Sequence, residues 1–110
     1  MADAVNLTNL REMTEGDVEM EKALFEEFCS SAETCIAALE ANCADGENEV
    51  WRSNAHALKG TSLNLGAEKL GVLCKQAQEG CAASQAEKQT MLSGIKTEYA
   101  EVKTFLDSVH

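Results

Sequence analysis

Apolar residues recur at intervals of three and four along most of this chain, and none of its 110 residues is proline. That spacing places the apolar residues along one side of a helix, and the absence of proline leaves each helix without an internal break. Aromatic residues make up only 5% of the chain. This composition favours helices and disfavours a strand-rich barrel or sandwich, so we expect an all-α protein.

The apolar stripes predict where the first two helices lie. A short amphipathic helix is expected over Leu7 to Met13. Thr14 follows it, with a side-chain oxygen placed to cap a long second helix. The Asp45-Gly46 pair is expected to end that helix. Its buried stripe is predicted to consist of Phe25, Phe28, Ala32, Cys35, Leu39 and Cys43.

Three further helices are predicted downstream. The third runs from about Asn48 to Leu65, and its buried stripe is Trp51, Ala55, Leu58, Ser62 and Leu65. Gly66 breaks or bends the chain, and the fourth helix, which stops near Gly80, buries Ala67, Leu70, Cys74 and Ala77. Ser84 and Glu87 form a capping-box pattern before the fifth helix. The stripe of that helix is Leu92, Ile95, Tyr99, Val102, Leu106 and Val109.

Four long amphipathic helices joined by short loops predict an antiparallel up-down four-helix bundle with a short extra N-terminal helix. A chain of 110 residues has room for one core, so residues 1–110 are expected to form a single domain. The sequence contains no glycine-rich phosphate loop, which excludes ATP binding by a recognisable mechanism.

The net charge of −10 is unevenly distributed along the chain. Residues 1–50 carry 13 acids against only Arg11 and Lys22, whereas residues 51–110 are nearly neutral. Such an acidic chain is not expected to bind nucleic acid. The asymmetry fits either an electrostatic field that selects partners or an acidic helix face that is simply solvated. We favour the second interpretation.

The five cysteines are an odd number without a C-x-x-C pair, so neither a disulfide framework nor a metal site is predicted. We expect them to be small core or surface residues. The amino terminus has no basic region followed by an apolar run, and no stretch approaches the roughly 20 apolar residues of a membrane span. A cytoplasmic protein without membrane contact is therefore expected.

His56 is the only internal histidine, and it lies about 140° around the third helix from the centre of the buried stripe. It is therefore predicted to face outward, with Lys59 and Gly60 one helical turn further on. A glycine inside a helix costs about 1 kcal/mol relative to alanine, so Gly60 requires a reason. Close approach of a partner is favoured over packing within the bundle, because Gly60 also lies away from the stripe.

The segment containing His56, Lys59, Gly60, Ser62, Leu65, Gly66 and Ala67 resembles the motif of histidine-containing phosphotransfer domains, H-x-x-K-G-x-S or Ala followed by an L-G-A end. The helix before it, from Leu24 to Leu39, is similar to the preceding helix of that family. A neutral imidazole has a lone pair that can attack phosphorus, and phosphoryl transfer otherwise needs mainly positioning and charge stabilisation.

The resemblance implies a role for each matching residue. His56 is the phosphoacceptor, Lys59 the cation beside the phosphoryl group, and Gly60 the point of partner access. Arg52, Leu63 and Asn64 flank the same face and are candidate partner-binding residues. The implied partners are receiver domains of hybrid sensor kinases and response regulators, which supply an aspartate and Mg²⁺. The chain itself is then a monomeric phosphoryl carrier, without a cofactor of its own and without enzyme activity.

Three alternatives remain beside this phosphorelay interpretation. A receiver-docking scaffold or inhibitor would not accept phosphate, and it would have no need of an intact His56, Lys59 and Gly60 group. The histidine substrate domain of a chemotaxis-type kinase would normally be followed by much more chain. A metal-binding helical bundle would use Glu-x-x-His pairs, which this sequence lacks.

Overall fold

The computed structural model describes residues 5–44 and 46–109, and within them it contains helices and no strand. The helices are α1 (Thr8–Thr14), α2 (Val18–Ala41), α3 (Asn48–Leu65), α4 (Glu68–Glu79) and α5 (Gln85–Val109). The prediction of an all-α protein with a short first helix is confirmed. Within the same residues, no helix has the length and apolar character needed to cross a membrane.

Helices α2 to α5 form a closed ring in which each helix packs against the next and α5 returns to α2, while α1 packs on α2. Side-chain contacts show the antiparallel order. Trp51 near the start of α3 reaches Ala77 near the end of α4. Along α5, Lys96 pairs with Glu40 of α2, and the later Lys103 pairs with the earlier Glu33. The predicted up-down four-helix bundle is confirmed. Helix α3 packs between α2 and α4, and its outer surface stays exposed.

The core of the bundle contains most of the predicted stripe residues. All the residues predicted to be buried on α3 and α4 are buried. On α2 the prediction of Cys35 was wrong: Cys35 is only half-buried and Ile36 occupies the core, because Ile36 lies four residues after Ala32 and three before Leu39. On α5, Tyr99 and Val109 are likewise only half-buried at the edge of the bundle.

Two charged residues of α5 are buried at positions that continue its apolar spacing, and the sequence analysis did not include them. Lys88 lies four residues before Leu92, and Glu98 lies three after Ile95. The carboxylate of Glu98 lies 3.5 Å from the exposed ammonium of Lys69 on α4. This ion pair reaches from the core to the surface, which lowers the cost of burying the carboxylate.

The cysteines of the bundle are free thiols. Burial raises the pKa of Cys74 to about 12, and burial also raises the pKa of Cys35. Both thiols therefore stay protonated at neutral pH, where a protonated thiol is a poor nucleophile and metal ligand. This agrees with the expectation that these cysteines pack in the bundle.

The start of α2 differs from the prediction. Thr14 is the last residue of α1, and its hydroxyl donates to the carbonyl of Arg11. Glu15 and Gly16 then adopt positive φ angles of 53° and 81°, which turn the chain and move the start of α2 beyond them. Asp17 is the actual cap, because its carboxylate accepts a hydrogen bond from the N–H of Met20 at 3.1 Å.

The other helix ends are closer to the prediction. Helix α2 ends at Ala41, earlier than expected, and Asp45 of the predicted stop lies outside the described residues. The capping pattern before α5 is confirmed: the Ser84 hydroxyl accepts from the N–H of Glu87 and donates to its carboxylate. Helix α4 ends at Glu79, followed by Gly80 as predicted.

Gly66 ends α3 and also receives the amino-terminal segment. Its φ is 99°, and its N–H donates to the carbonyls of Ser62 and Leu63. The N–H of Asn6 donates to the Gly66 carbonyl at 2.8 Å, and a Cβ built on Gly66 would lie 2.0 Å from the Asn6 carbonyl oxygen. A glycine is therefore required here both by the backbone angle and by this close approach.

We expect Gly66→Ala to lower the free energy of unfolding by about 2 kcal/mol or more. The cost of placing alanine in the left-handed region adds to the cost of its clash with the Asn6 backbone. Gly46→Ala is the matched control: its φ is 92°, but no atom lies within 4 Å of an added Cβ. Thermal or urea unfolding measures both. A loss in Gly66→Ala no larger than in Gly46→Ala would show that the amino-terminal segment does not dock as described.

Candidate functional site

The outer surface of α3 brings together every residue predicted for the site. His56 is exposed, Arg52 lies one turn before it, and Lys59 and Gly60 lie one turn after it. Leu63 and Asn64 follow another turn along and are also exposed. The prediction that His56 faces outward is confirmed, because the buried side of α3 is formed by the predicted stripe.

The imidazole of His56 contacts α4 through one of its two nitrogens. Its Nδ1 lies 3.3 Å from Oε1 of Gln78. A carbonyl oxygen only accepts hydrogen bonds, so this contact is a hydrogen bond in the tautomer that carries its proton on Nδ1. The lone pair of the neutral ring then lies on Nε2, the nitrogen that points away from this contact. Arg52, Ser53, His56 and Gln78 line a shallow pocket of about 200 Å³ around the ring.

Gln78 is the site residue that the sequence analysis did not identify. It lies 22 residues after His56 and on a different helix. The spacing of α4 does indicate that Gln78 lies close to a neighbouring helix, because it follows the buried Ala77 and lies at the edge of the buried side. Recognising it required the packing of α4 against α3, which places Gln78 beside His56 and not beside another residue.

Gly60 faces open space. No atom lies within 4 Å of a Cβ added to it, other than those of its own helix backbone and its chain neighbours. Packing within the described part of the bundle therefore does not require a glycine at this position. The absence of a side chain leaves the helix backbone uncovered one turn from the imidazole.

Two cations flank His56 on α3. Neither Arg52 nor Lys59 forms an ion pair with a carboxylate among residues 5–44 and 46–109, whereas Arg11, Lys69, Lys96 and Lys103 do. The positive charge on this face therefore has no carboxylate within ion-pair distance among the described residues. In a chain with a net charge of −10, it creates a local site for a negatively charged group.

Leu63 and Asn64 lie where the α3 surface meets its two neighbours. The side chain of Leu63 covers Gly71 of α4, since a Cβ on Gly71 would lie 2.5 Å from Leu63 Cδ2. Leu63 nevertheless remains 49% exposed. Asn64 and Thr61 line a groove of about 500 Å³ between α3, α1 and α2. The groove also includes Leu10, Met13, Leu24, Glu27, Phe28, Ser31 and Leu65.

Ser62 lies on the opposite side of α3 from the site. It is fully buried, and its hydroxyl does not form the hydrogen bond to the Leu58 carbonyl that the sequence allowed. Its hydroxyl is not hydrogen-bonded to the imidazole. The motif residue Ser62 therefore belongs to the core of the bundle, and Ala67 is buried there as well.

The chain was compared with known families, curated proteins and solved structures. A family model described as Hpt domain matches residues 23–106, which include α3, α4 and the contact between His56 and Gln78. No curated protein and no solved structure matches the chain significantly. The family match covers most of the 110 residues and agrees with the helical bundle. The chain belongs to the Hpt domain family, whose members carry phosphoryl groups on a histidine in phosphorelays.

Proposed function

We propose that His56 accepts a phosphoryl group on Nε2 from the aspartyl phosphate of one receiver domain and passes it to the aspartate of another. The single observation that carries this proposal is the contact between His56 Nδ1 and Gln78 Oε1 on an exposed helix face. It favours the tautomer with the proton on Nδ1, in which the Nε2 lone pair is free to act as the nucleophile.

The transfer step follows from this arrangement. The Nε2 lone pair attacks phosphorus, an N–P bond forms, and the P–O bond to the receiver aspartate breaks, which releases that aspartate as a carboxylate. The phosphorylated ring keeps its proton on Nδ1, and Gln78 Oε1 accepts the hydrogen bond of this more positive N–H. The reverse sequence passes the phosphoryl group to a second receiver.

Lys59, Arg52 and Gly60 support the same step in different ways. The ammonium of Lys59 and the guanidinium of Arg52 attract the phosphoryl oxygens or the partner that carries them, with a strength that salt screens. Gly60 leaves room for the partner backbone to approach the ring. Leu63 and Asn64 are the candidate docking contacts on either side of that approach.

The catalytic groups belong to the partner. The receiver holds the Mg²⁺ and the aspartate, and this chain acts as a monomeric carrier in the cytoplasm without a cofactor or enzyme activity of its own. A docking scaffold that never carries phosphate has no use for an exposed histidine with a lysine and an uncovered glycine one turn away. The scaffold is therefore the weaker alternative.

Transfer between purified proteins tests the proposed function. Wild-type chain incubated with a panel of radiolabelled phospho-receivers is expected to take up label that is lost in acid and kept in alkali, as for a phosphohistidine. The label should pass on to a second, unlabelled receiver. Labelling from ATP alone, or no labelling by any receiver, would contradict the proposal. Labelling only by an ATP-bound kinase domain would favour the substrate domain of a chemotaxis-type kinase.

A further inference from the structure

A buried cluster lies at the end of the bundle where α3 begins, α4 ends and α5 begins. Its centre is Trp51 of α3, which is fully buried. The ammonium of Lys88, on the first turns of α5, lies 5.5 Å from the centre of the Trp51 ring and donates to Asn48 Oδ1 at 3.1 Å. The indole N–H of Trp51 donates to the backbone carbonyl of Ala77 at 2.8 Å.

The burial of Lys88 is costly and therefore informative. A lysine is almost never fully buried unless its charge has a partner, yet Lys88 has no exposed surface. The Asn48 amide and the indole ring are the groups that offset this cost. Filling the same space with an apolar side chain would avoid the penalty. The cluster fixes the plane of the Trp51 ring, because the ammonium is favourable only over the ring face.

The indole hydrogen bond acts on the part of α4 that contacts His56. Ala77 lies in the last turn of α4, where carbonyls lack the partners that the helix interior provides. Gln78 is the next residue, and it contacts His56 on the same helix as Trp51. Two hydrogen bonds therefore join α3 to α4 at successive residues: the first is buried and the second is exposed.

We propose that Trp51 is a positioning residue for the phosphoacceptor. Its indole N–H holds the last turn of α4 so that the carboxamide of Gln78 meets Nδ1 of His56 and keeps the proton there. Lys88 holds the indole plane in the orientation that this bond requires. Without the indole N–H, the exposed contact at 3.3 Å is too weak to hold the turn by itself, and the ring returns toward the tautomer mixture of a solvated histidine.

The effect on transfer rests on the proposed function, whereas the effect on the tautomer does not. The test therefore measures both in Trp51→Phe, which keeps a buried aromatic ring and removes only the donor. Nitrogen-15 NMR of the His56 ring, at a pH where the ring is neutral, reports the fraction with the proton on Nδ1. We expect that fraction to fall, and the rate of transfer from a phospho-receiver to fall by about 3- to 10-fold, which is the effect on a rate of losing one ordinary hydrogen bond.

Tyr99→Phe is the matched control. It also removes one donor from an aromatic side chain, but its bond of 2.6 Å to Glu33 joins α5 to α2 and does not involve α4. It should lower stability without changing the His56 tautomer. Gln78→Leu defines complete loss of the acceptor, and adding Trp51→Phe to Gln78→Leu should change the tautomer no further, because both act through one contact.

Two results would overturn the positioning role. One is a wild-type tautomer in Trp51→Phe when Gln78→Leu shifts it, and the other is an equal shift in Tyr99→Phe. If Trp51→Phe does not fold, Lys88→Met gives the test, since it keeps the indole and releases its plane; an unchanged tautomer there contradicts the proposal. A tautomer shift in a chain that no receiver phosphorylates would reject the proposed function and keep the positioning role.

Discussion

Replacing His56 with glutamine is expected to abolish phosphoryl uptake from every receiver that labels the wild-type chain. The glutamine amide is polar and of similar size, but its nitrogen has no lone pair available for attack on phosphorus. The side chain of His56 is exposed, so the substitution removes no core packing. The free energy of unfolding should stay within about 0.5 kcal/mol of the wild-type value. Circular dichroism during urea unfolding measures it.

The result identifies the phosphoacceptor because the sequence contains only one other histidine, His110. His110→Gln is the matched control and should take up label at the wild-type rate. If His56→Gln kept its label and lost it only when His110 was also replaced, the phosphoryl acceptor would be His110. Retained labelling in the double variant would point to an acceptor other than histidine and contradict the assignment of the α3 face.

The α3 surface shows what the sequence determines without tertiary information. Its stripe of Trp51, Ala55, Leu58, Ser62 and Leu65 was predicted in full, because a period of 3.6 residues separates the buried from the exposed side of a single helix. The same period placed His56, Lys59 and Gly60 together on the outer side. These inferences concern residues on one helix, and no knowledge of neighbouring helices was needed.

Gln78 shows where that information ends. Its contact with His56 depends on how far α4 slides along α3, and the indole bond to Ala77 contributes to that register. Nothing in the spacing of α4 encodes a distance to another helix. The buried Lys88 is a related case, because a charged residue at a stripe position is read as exposed until the ring and amide that surround it are known.

The start of α2 depended on turn chemistry that the sequence left open. Thr14 and Asp17 are both good capping residues, and each is followed three residues on by a position whose N–H it can accept from. The positive φ angles of Glu15 and Gly16 decided between them, because they end α1 at Thr14. The sequence pattern pointed to Thr14 because an acid, Asp17, lies three residues after it, as in a capping box.

A leucine in place of Gly60 is expected to slow phosphoryl transfer by about 100-fold or more while the bundle becomes slightly more stable. A Cβ added at position 60 meets no atom of another helix within 4 Å, so the leucine side chain has room to project outward one turn from His56. It would hold a partner away from the imidazole by more than the roughly 1 Å that already costs about 100-fold in a positioned reaction. Removing a glycine from a helix interior gains about 0.5–1 kcal/mol, so a lower rate cannot come from unfolding.

Gly94→Leu separates the steric effect from the gain in helix stability. Gly94 lies within α5, the helix across the ring from α3, and a Cβ on it also meets no atom within 4 Å. It should raise the unfolding free energy by the same amount as Gly60→Leu and leave the transfer rate unchanged. Equal rates in the two variants would show that the partner does not approach over Gly60. A large loss in Gly60→Leu alone, with His56 still reacting with a small phosphoryl donor such as phosphoramidate, would place the obstruction between the two proteins and not at the imidazole itself.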